Sequence, residues 1–346
     1  MDDDLCNITA VILAAGQGTR MKSRLPKVLH LLAGKPLVIH AIENVSSVIT
    51  AKPVLVVGCG SEQVRAVVGE RVRYAEQVNQ LGTADALKAA RPLLNEFDGL
   101  ILVVSADMPL FTTQTLQKLV NIQRSNPGVM TMLSVCLDDP HGFGRVVRRA
   151  DGSVAAIVEE AQADDQTLAI KELNVGAYCF RSEWIWGALD RIKVSPRGEY
   201  YLTDTVELAV MENQRVECLL IDNPQEAIGI NTRVHLAEAE AILRRRINQG
   251  WLLAGVTMLD PDTTYIEQGV QLSPDTIIHP NCHLSGSTQI GPGCEIGPSA
   301  TLSNAVIGEN CVVGPHVVLS NVHLESNQVV RFTMLDGNQN PGTQLD

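Results

Sequence analysis

The residues best able to do chemistry stand between Ala10 and Lys27, in AVILAAGQGTRMKSRLPK. An apolar run from Ala10 to Ala15 stops at Gly16 and Gly18, and Arg20, Lys22, Arg24 and Lys27 follow. A buried strand that ends in a glycine turn exposes backbone N–H groups at its carboxyl end. Such groups hold phosphate oxygens, more firmly with cations beside them. Several cations near one turn suit a nucleoside triphosphate better than a single phosphate. The turn is not a P-loop, which needs four residues between its first glycine and Gly-Lys-Ser/Thr. Nor is it the dinucleotide fingerprint, because Met21 stands where a third small residue is required.

A second candidate is Asp107, which closes the apolar run LILVV within SADMPL. A carboxylate at the carboxyl edge of a strand, its backbone fixed by Pro109, suits Mg²⁺, because phosphates and water complete the shell. The competing role for Asp107 is a turn cap. Cysteines are scattered at 6, 59, 136, 179, 218, 282, 294 and 311 without a CxxC pair. Free thiols in a reducing compartment are expected, not a zinc site. His279 and His283 flank Pro280, which forbids a helical metal-ligand pair.

The elements that must position these residues alternate. Strand candidates are 11–14, 53–57, 99–104, 129–133 and 176–180, with helical patterns near 37–45, 61–68, 83–90 and 113–123 between them. This order predicts an α/β, Rossmann-like doubly wound domain with a mostly parallel sheet, whose ligands bind outside the carboxyl ends of the strands. Gly16 and Asp107 both follow such an end, so they converge on one crevice. Asn231 to Gln249 reads as a connecting helix ending at Gly250, with Arg244, Arg245 and Arg246 placed to suit its C-terminal dipole.

From Ile278, aliphatic residues recur at 278, 284, 290, 296, 302, 307, 313, 319, 324 and 330. The step is six with two steps of five, the signature of a parallel β-helix of hexapeptide repeats, here about three coils. Cys282, Cys294 and Cys311 each stand four places after a repeat aliphatic, where Thr288, Ala300, Val306 and Val317 also fall. That place calls for a small buried side chain, and Cys294 and Cys311 are expected to stack in neighbouring coils as reduced thiols.

The chain has 346 residues, 45% hydrophobic but 4% aromatic, with a net charge of −12. Its length implies two domains, and its aliphatic character suits parallel sheets and solenoids. The acidic balance argues against nucleic-acid binding. No apolar run approaches the ~20 residues of a membrane span, and MDDD is no signal peptide. A cytoplasmic protein without membrane insertion is expected.

LAAGQGTRM and LPKVLHLLAGKPL, followed in order by AEQVNQLGTADAL, SADMPL, GFGRVVR, VEE, ELNVG, GEYYLTD and GINTR, resemble a known family. It is that of the bifunctional bacterial N-acetylglucosamine-1-phosphate uridylyltransferase/glucosamine-1-phosphate acetyltransferases, and the likeness covers residues 8–330. The resemblance implies a left-handed β-helix and transfer of UMP from UTP to N-acetylglucosamine 1-phosphate with Mg²⁺. It implies charge neutralisation by Arg20 and Lys27, and uridine and phosphate held by Leu13, Ala14, Ala15 and Gly16. Gln77 would read the uracil beside Gln80, with Gly82 and Thr83 packed close to the base. Ser105 and Asp107 would stand at the nucleotide, and Asp107 and Asn231 would be the metal ligands. Gly144, Glu159 and Asn174, with 198–203, would line the sugar site. Asn231 is equally suited to cap the connecting helix. A homotrimer through the β-helix is implied.

Two departures bear on these expectations. Ala106 replaces the family's usual glycine before the metal Asp, and its methyl is expected to crowd the ribose or change affinity. None of the family's acetyltransferase motifs follows, so acetyl transfer is expected to be missing. The expected layout is 1–230 nucleotidyltransferase, 231–252 connecting helix, 253–335 shortened β-helix and 336–346 polar tail. Competing readings keep the chemistry with another sugar, such as glucose 1-phosphate, or make the chain a non-catalytic sugar-nucleotide-binding subunit. A further one makes the β-helix chiefly an oligomerisation device.

Overall fold

The computed structural model describes residues 7–140, 142–331 and 334–337. Cys6 and the tail from 338 lie outside the described residues. The chain divides into two compact units, Met1–His30 with Pro36–Leu236, and Leu31–Lys35 with Ala237–Asp346.

The first unit is a nine-stranded sheet between two layers of helices. Along its main path the strands are ordered Val216–Leu220, Met130–Cys136, Glu172–Arg181, Leu100–Ser105, Ile8–Leu13, Val54–Val57 and Arg73–Glu76. The central strands ITAVIL, VLVV and LILVVS are aliphatic and almost wholly buried, as expected where helices cover both faces of a parallel sheet. One face packs on the helices Leu37–Ser46, Ser61–Val68 and Thr113–Ser125 through residues such as Ile42, Val64 and Leu119. The other packs on Thr83–Ala89, Ser182–Leu189 and Asp204–Met211 through Leu87, Ile185 and Val206.

Register fixes the site. Leu13 pairs with Ser105 and Val56, and Val57 pairs with Glu76, all in parallel. Gly16, Asp107 and Gln77 therefore leave the sheet at the same edge, the first two from adjacent strands and Gln77 from one strand further on, across Val54–Val57.

The sheet is more mixed than alternation alone suggests. Glu172–Arg181 runs antiparallel between Leu100–Ser105 and Met130–Cys136, and the hairpin Arg145–Arg148/Val154–Val158 attaches to it. Only its second half was legible as a strand. An irregularity between Asn174 and Tyr178, with Gly176 at φ +71°, interrupts its side-chain alternation.

The second unit is a left-handed β-helix whose three parallel sheets carry five, five and four strands. The inward aliphatics Ile278, Leu284, Ile290, Ile296, Leu302, Ile307, Val313, Leu319 and Leu324 are buried, and Val330 is partly so. The stack begins a coil before Ile278, with Met258, Ile266 and Leu272 in register with Ile278, Leu284 and Ile290. The step from Met258 to Ile266 is too long for the six-residue pattern, which hid that coil. Asp275, Asn281, Ser299, Asn304, Asn310, His316, Asn321 and Asn327 adopt positive φ at the corners, with Gly286 and Gly293 between them. Asn tolerates this region better than most side chains, which explains its recurrence.

Cys282, Cys294 and Cys311 are buried, and Glu295 N donates to Cys311 O, so Cys294 and Cys311 do occupy neighbouring coils. The seven described cysteines form no disulfide. Val306 does not take the small buried position, because the five-residue step places Ala305 there and leaves Val306 outside.

The long helix runs Arg233–Leu253, and Gly250 lies within it. Its end is built by Gly255 (φ +95°), with Val256 N donating to Trp251 O at 3.0 Å and Gly255 N to Leu252 O at 3.2 Å, a Schellman arrangement. The arginine cluster is thus far from the C-terminal dipole. Instead Arg244 lies over the Tyr265 ring at 4.4 Å and Arg245 meets Asp262 at 3.4 Å. Ile247 and Trp251 pack on the β-helix core, and Asn248 donates to Pro261 O and Thr264 O.

Candidate active site

Beyond the carboxyl ends of the central strands the first unit holds a cleft of about 520 Å³. The glycine turn forms one wall, with Leu13, Ala14, Ala15, Gly16 and Arg20 on the lining. Gly18 (φ +62°) caps the short Thr19–Met21 helix that carries Arg20. A Cβ on Gly18 would stand 2.5 Å from Lys27 Cβ, so the bare glycine is what lets Lys27 come against the turn.

Lys27 reaches the metal candidates directly. Its Nζ donates to Asp107 Oδ2 at 2.5 Å and to Asn231 Oδ1 at 3.1 Å. Burial pushes the Asp107 carboxyl up, but the Lys27 charge and hydrogen bonds from Lys27 and Ser105 outweigh it and hold Asp107 below the usual carboxylate range. Ile230 N donates to Asp107 O at 2.8 Å, tying Asn231 beside Asp107.

The capping role weighed for Asn231 falls to its neighbour. Thr232 Oγ1, not Asn231, accepts from His235 N at 3.2 Å at the helix start, which leaves the Asn231 amide oxygen for Lys27. A carboxylate and an amide oxygen thus converge on one cation, a donor set that suits Mg²⁺. Among the described residues there is no cluster of three or more His, Cys, Asp or Glu for a metal.

The lining also carries Gln77, Gln80, Gly82 and Thr83. Gln77 is buried, and its Nε2 donates to Gly82 O at 3.0 Å and Asp85 Oδ2 at 2.8 Å. Gly82 (φ +111°) lies against the Tyr200 backbone, where a Cβ would meet Tyr200 O at 2.5 Å. Ala84 N donates to Tyr200 O and Leu202 N to Thr83 Oγ1, joining this loop to 200–202.

Gly144, Glu159 and Asn174 are not on this lining; they gather beside it. Asn174 N donates to Gly144 O at 2.8 Å, and Thr203 Oγ1 donates to Glu159 Oε1 at 2.8 Å. Glu199 and Tyr201, from the same segment as Thr203, do line the cleft, so one loop borders both clusters. The second cluster is acidic. Burial, and less strongly the Glu199 charge, raises Glu159. Burial with the charges of Glu159 and Glu207 pushes Asp204 up to about 6. Burial pushes the Tyr178 phenol well above its usual range, and the Glu159 charge adds to this.

Ala106 does not crowd the cleft. It is fully buried in the core beneath the sheet edge, and its N donates to Leu13 O at 2.9 Å. The resemblance marked Glu199 and Tyr201 only as part of the 198–203 segment, without a role for either. Sequence reasoning did not single out Asp85, which lay inside LGTADAL.

Residues 10–169 match the MobA-like NTP transferase domain, and 269–304 and 287–321 match the bacterial transferase hexapeptide repeat. The chain is 43% identical over 302 residues to the bifunctional protein GlmU of Exiguobacterium sibiricum, covering 87% of this chain and 67% of that one. It is 44% identical over 299 residues to GlmU of a Geobacillus species (86% and 65%) and 42% identical over 304 residues to GlmU of Brevibacillus brevis (88% and 66%). It spans about two thirds of the length of these relatives. With an NTP transferase domain followed by hexapeptide coils, and this identity along most of its length, the chain belongs to the GlmU family.

Proposed function

We propose that this chain transfers UMP from UTP to N-acetylglucosamine 1-phosphate, releasing pyrophosphate and forming UDP-N-acetylglucosamine for cell-wall precursors in the cytoplasm. The observation that carries the reading is the meeting of Lys27, Asp107 and Asn231 beside a glycine turn in one cleft. The name shared by the relatives supports it.

The attacking sugar-phosphate oxygen is already anionic, so no general base is needed. As its bond to the α-phosphorus forms, the α–β phosphoanhydride breaks, and the chain must position both ends and offset negative charge. Arg20 and Lys27 supply cations, and the backbone of Leu13–Gly16 holds uridine and phosphate. Gln77 faces the uracil, with Gly82 and Thr83 against the base and Ser105 at the nucleotide. Asp107 and Asn231 would hold Mg²⁺, which supplies neutralisation of phosphate charge when bound. Gly144, Glu159 and Asn174 contact the sugar.

The test is pyrophosphate release from UTP and Mg²⁺ with N-acetylglucosamine 1-phosphate, glucose 1-phosphate or glucosamine 1-phosphate. Preference for the N-acetylated sugar is expected. Preference for glucose 1-phosphate overturns the substrate, and no release with any sugar overturns the reaction in favour of a binding subunit. The proposal assigns no acetyl transfer to these residues, checked by thiol release from acetyl-coenzyme A with glucosamine 1-phosphate. It assigns a homotrimer to the β-helix, whose outer positions Ile277, Val312 and Val329 share one sheet. A strict monomer by sedimentation at micromolar protein overturns that part.

A further inference from the structure

The Gln77 side-chain amide has one permitted orientation. Both groups that meet its nitrogen, Gly82 O and Asp85 Oδ2, are acceptors. They take both amide hydrogens, and a flipped amide would set oxygen against oxygen. Gln77 is 5% exposed yet stands on the cleft lining. The polar atom left for a ligand is Oε1, an acceptor only.

We propose that Asp85 is a specificity-determining positioning residue: by holding the Gln77 nitrogen, it presents Oε1 and makes the cleft favour a pyrimidine that donates from N3, as uracil does, over cytosine. This rests on the reading that Gln77 faces the base. Of the two restraints, Asp85 is the stronger. A hydrogen bond to a carboxylate is about twice as strong as one to a neutral carbonyl, and a flip would put Oε1 against negative charge. Without Asp85, one peptide carbonyl opposes the flip, and the flipped amide offers N–H to the bare cytosine N3. Asp85 itself is well placed, because it stands in the first turn of Thr83–Ala89 and that turn is pinned to Tyr200 and Leu202.

The experiment compares kcat/KM for UTP and CTP, at fixed N-acetylglucosamine 1-phosphate, in the full chain and in Asp85→Ala and Asp85→Asn. The unaltered chain is expected to prefer UTP by about a hundredfold or more. Asp85→Ala is expected to cut that ratio about tenfold, and Asp85→Asn, which can still accept but can also donate to a flipped Gln77, to fall between it and the unaltered chain. A purely structural role would lower both nucleotides together, and an unchanged ratio in Asp85→Ala overturns the proposal. If Asp85→Ala does not fold, Asp85→Ser, too short to reach Nε2, is expected to lose the ratio equally. Calorimetric titration with UMP and CMP separates this inference from the reaction. A chain that releases no pyrophosphate but prefers UMP in an Asp85-dependent way overturns the reaction and keeps the inference. A chain that binds neither nucleotide overturns both.

Discussion

The Lys27 ammonium lies 2.5 Å from the Asp107 carboxylate, and the two side chains are only 10% and 20% exposed. Asn231 Oδ1 adds a second acceptor at 3.1 Å. The pair is largely shielded from solvent, so removing one partner strands the other. Lys27→Met should cost about 2 kcal/mol of stability, below the range for fully buried pairs. It should also slow pyrophosphate release by about 10²–10³. The variant also tests the metal assignment without turnover. With the ammonium gone, Mg²⁺ should raise the melting temperature of Lys27→Met more than that of the unaltered chain. An equal response in both would remove Asp107 and Asn231 as metal ligands. Asp107→Ala should lose turnover, with Asn231 Oδ1 left as the Lys27 acceptor, and a near-normal rate there would do the same.

The two glycines of the turn should respond differently to alanine. At Gly16 a Cβ meets nothing within 4 Å, so Gly16→Ala should melt like the unaltered chain and show only a raised KM for UTP. At Gly18 the backbone is left-handed and the new methyl meets Lys27 Cβ at 2.5 Å. Gly18→Ala should cost about 1–2 kcal/mol in backbone strain, and kcat should fall because Lys27 is displaced. Thermal melts and steady-state kinetics on both variants check this. A Gly18→Ala with normal kcat would show that Lys27 need not touch the turn.

In the β-helix, Asn304 combines a positive φ of 50° with an Oδ1 that accepts from Ser287 N at 3.1 Å in the preceding coil. Asn304→Gly keeps the backbone and loses the bond, a cost of about 1 kcal/mol. Asn304→Val adds the left-handed penalty of a β-branched residue, about 1–2 kcal/mol more. Denaturant unfolding should rank them unaltered, Gly, Val. Equal stability for Gly and Val would mean that the corner relaxes out of the left-handed region.

What the sequence made legible follows from locality. The Gly16 turn and Asp107 could be placed because each ends an apolar run, and a strand end is a local pattern. The inward β-helix residues were legible because one coil repeats the next. Pairings between distant residues leave no such trace. Nothing in LPK or SADMPL announces that Lys27 bonds Asp107, eighty positions away. Whether Asn231 caps the connecting helix needed the bond from His235 N to Thr232 Oγ1 to answer it. Gln77 reads blind as an ordinary loop residue, and its meaning lies in the Asp85 and Gly82 acceptors. The antiparallel course of Glu172–Arg181 was hidden for a related reason, since side-chain alternation reports which faces are buried and never which way a strand runs.

Asp204 gives a prediction with a definite sign. Half-burial, then the negative charges of Glu159 and Glu207, push its carboxyl to about 6, against about 3.9 for an unperturbed aspartate. The folded value is the higher one, so the folded chain binds this proton more readily than the unfolded chain does. The ionised group therefore opposes folding fully above about pH 6, and the opposition fades as pH falls from about 6 to about 4. Asp204→Asn removes it. After allowance for solvent screening of a half-exposed group, the gain at pH 7.5 should be about 1 kcal/mol, seen as a rise of about 2–4 °C in melting temperature. At pH 4 the variant and the unaltered chain should melt together. Glu159→Gln should act in the same direction, since burial and Glu199 raise Glu159 too. The double substitution should gain less than the sum, because each removes part of the other's repulsion. Melts across pH 4 to 8 on the three variants decide it. A gain that persists unchanged at pH 4 would show that packing, not charge, is what Asp204 disturbs.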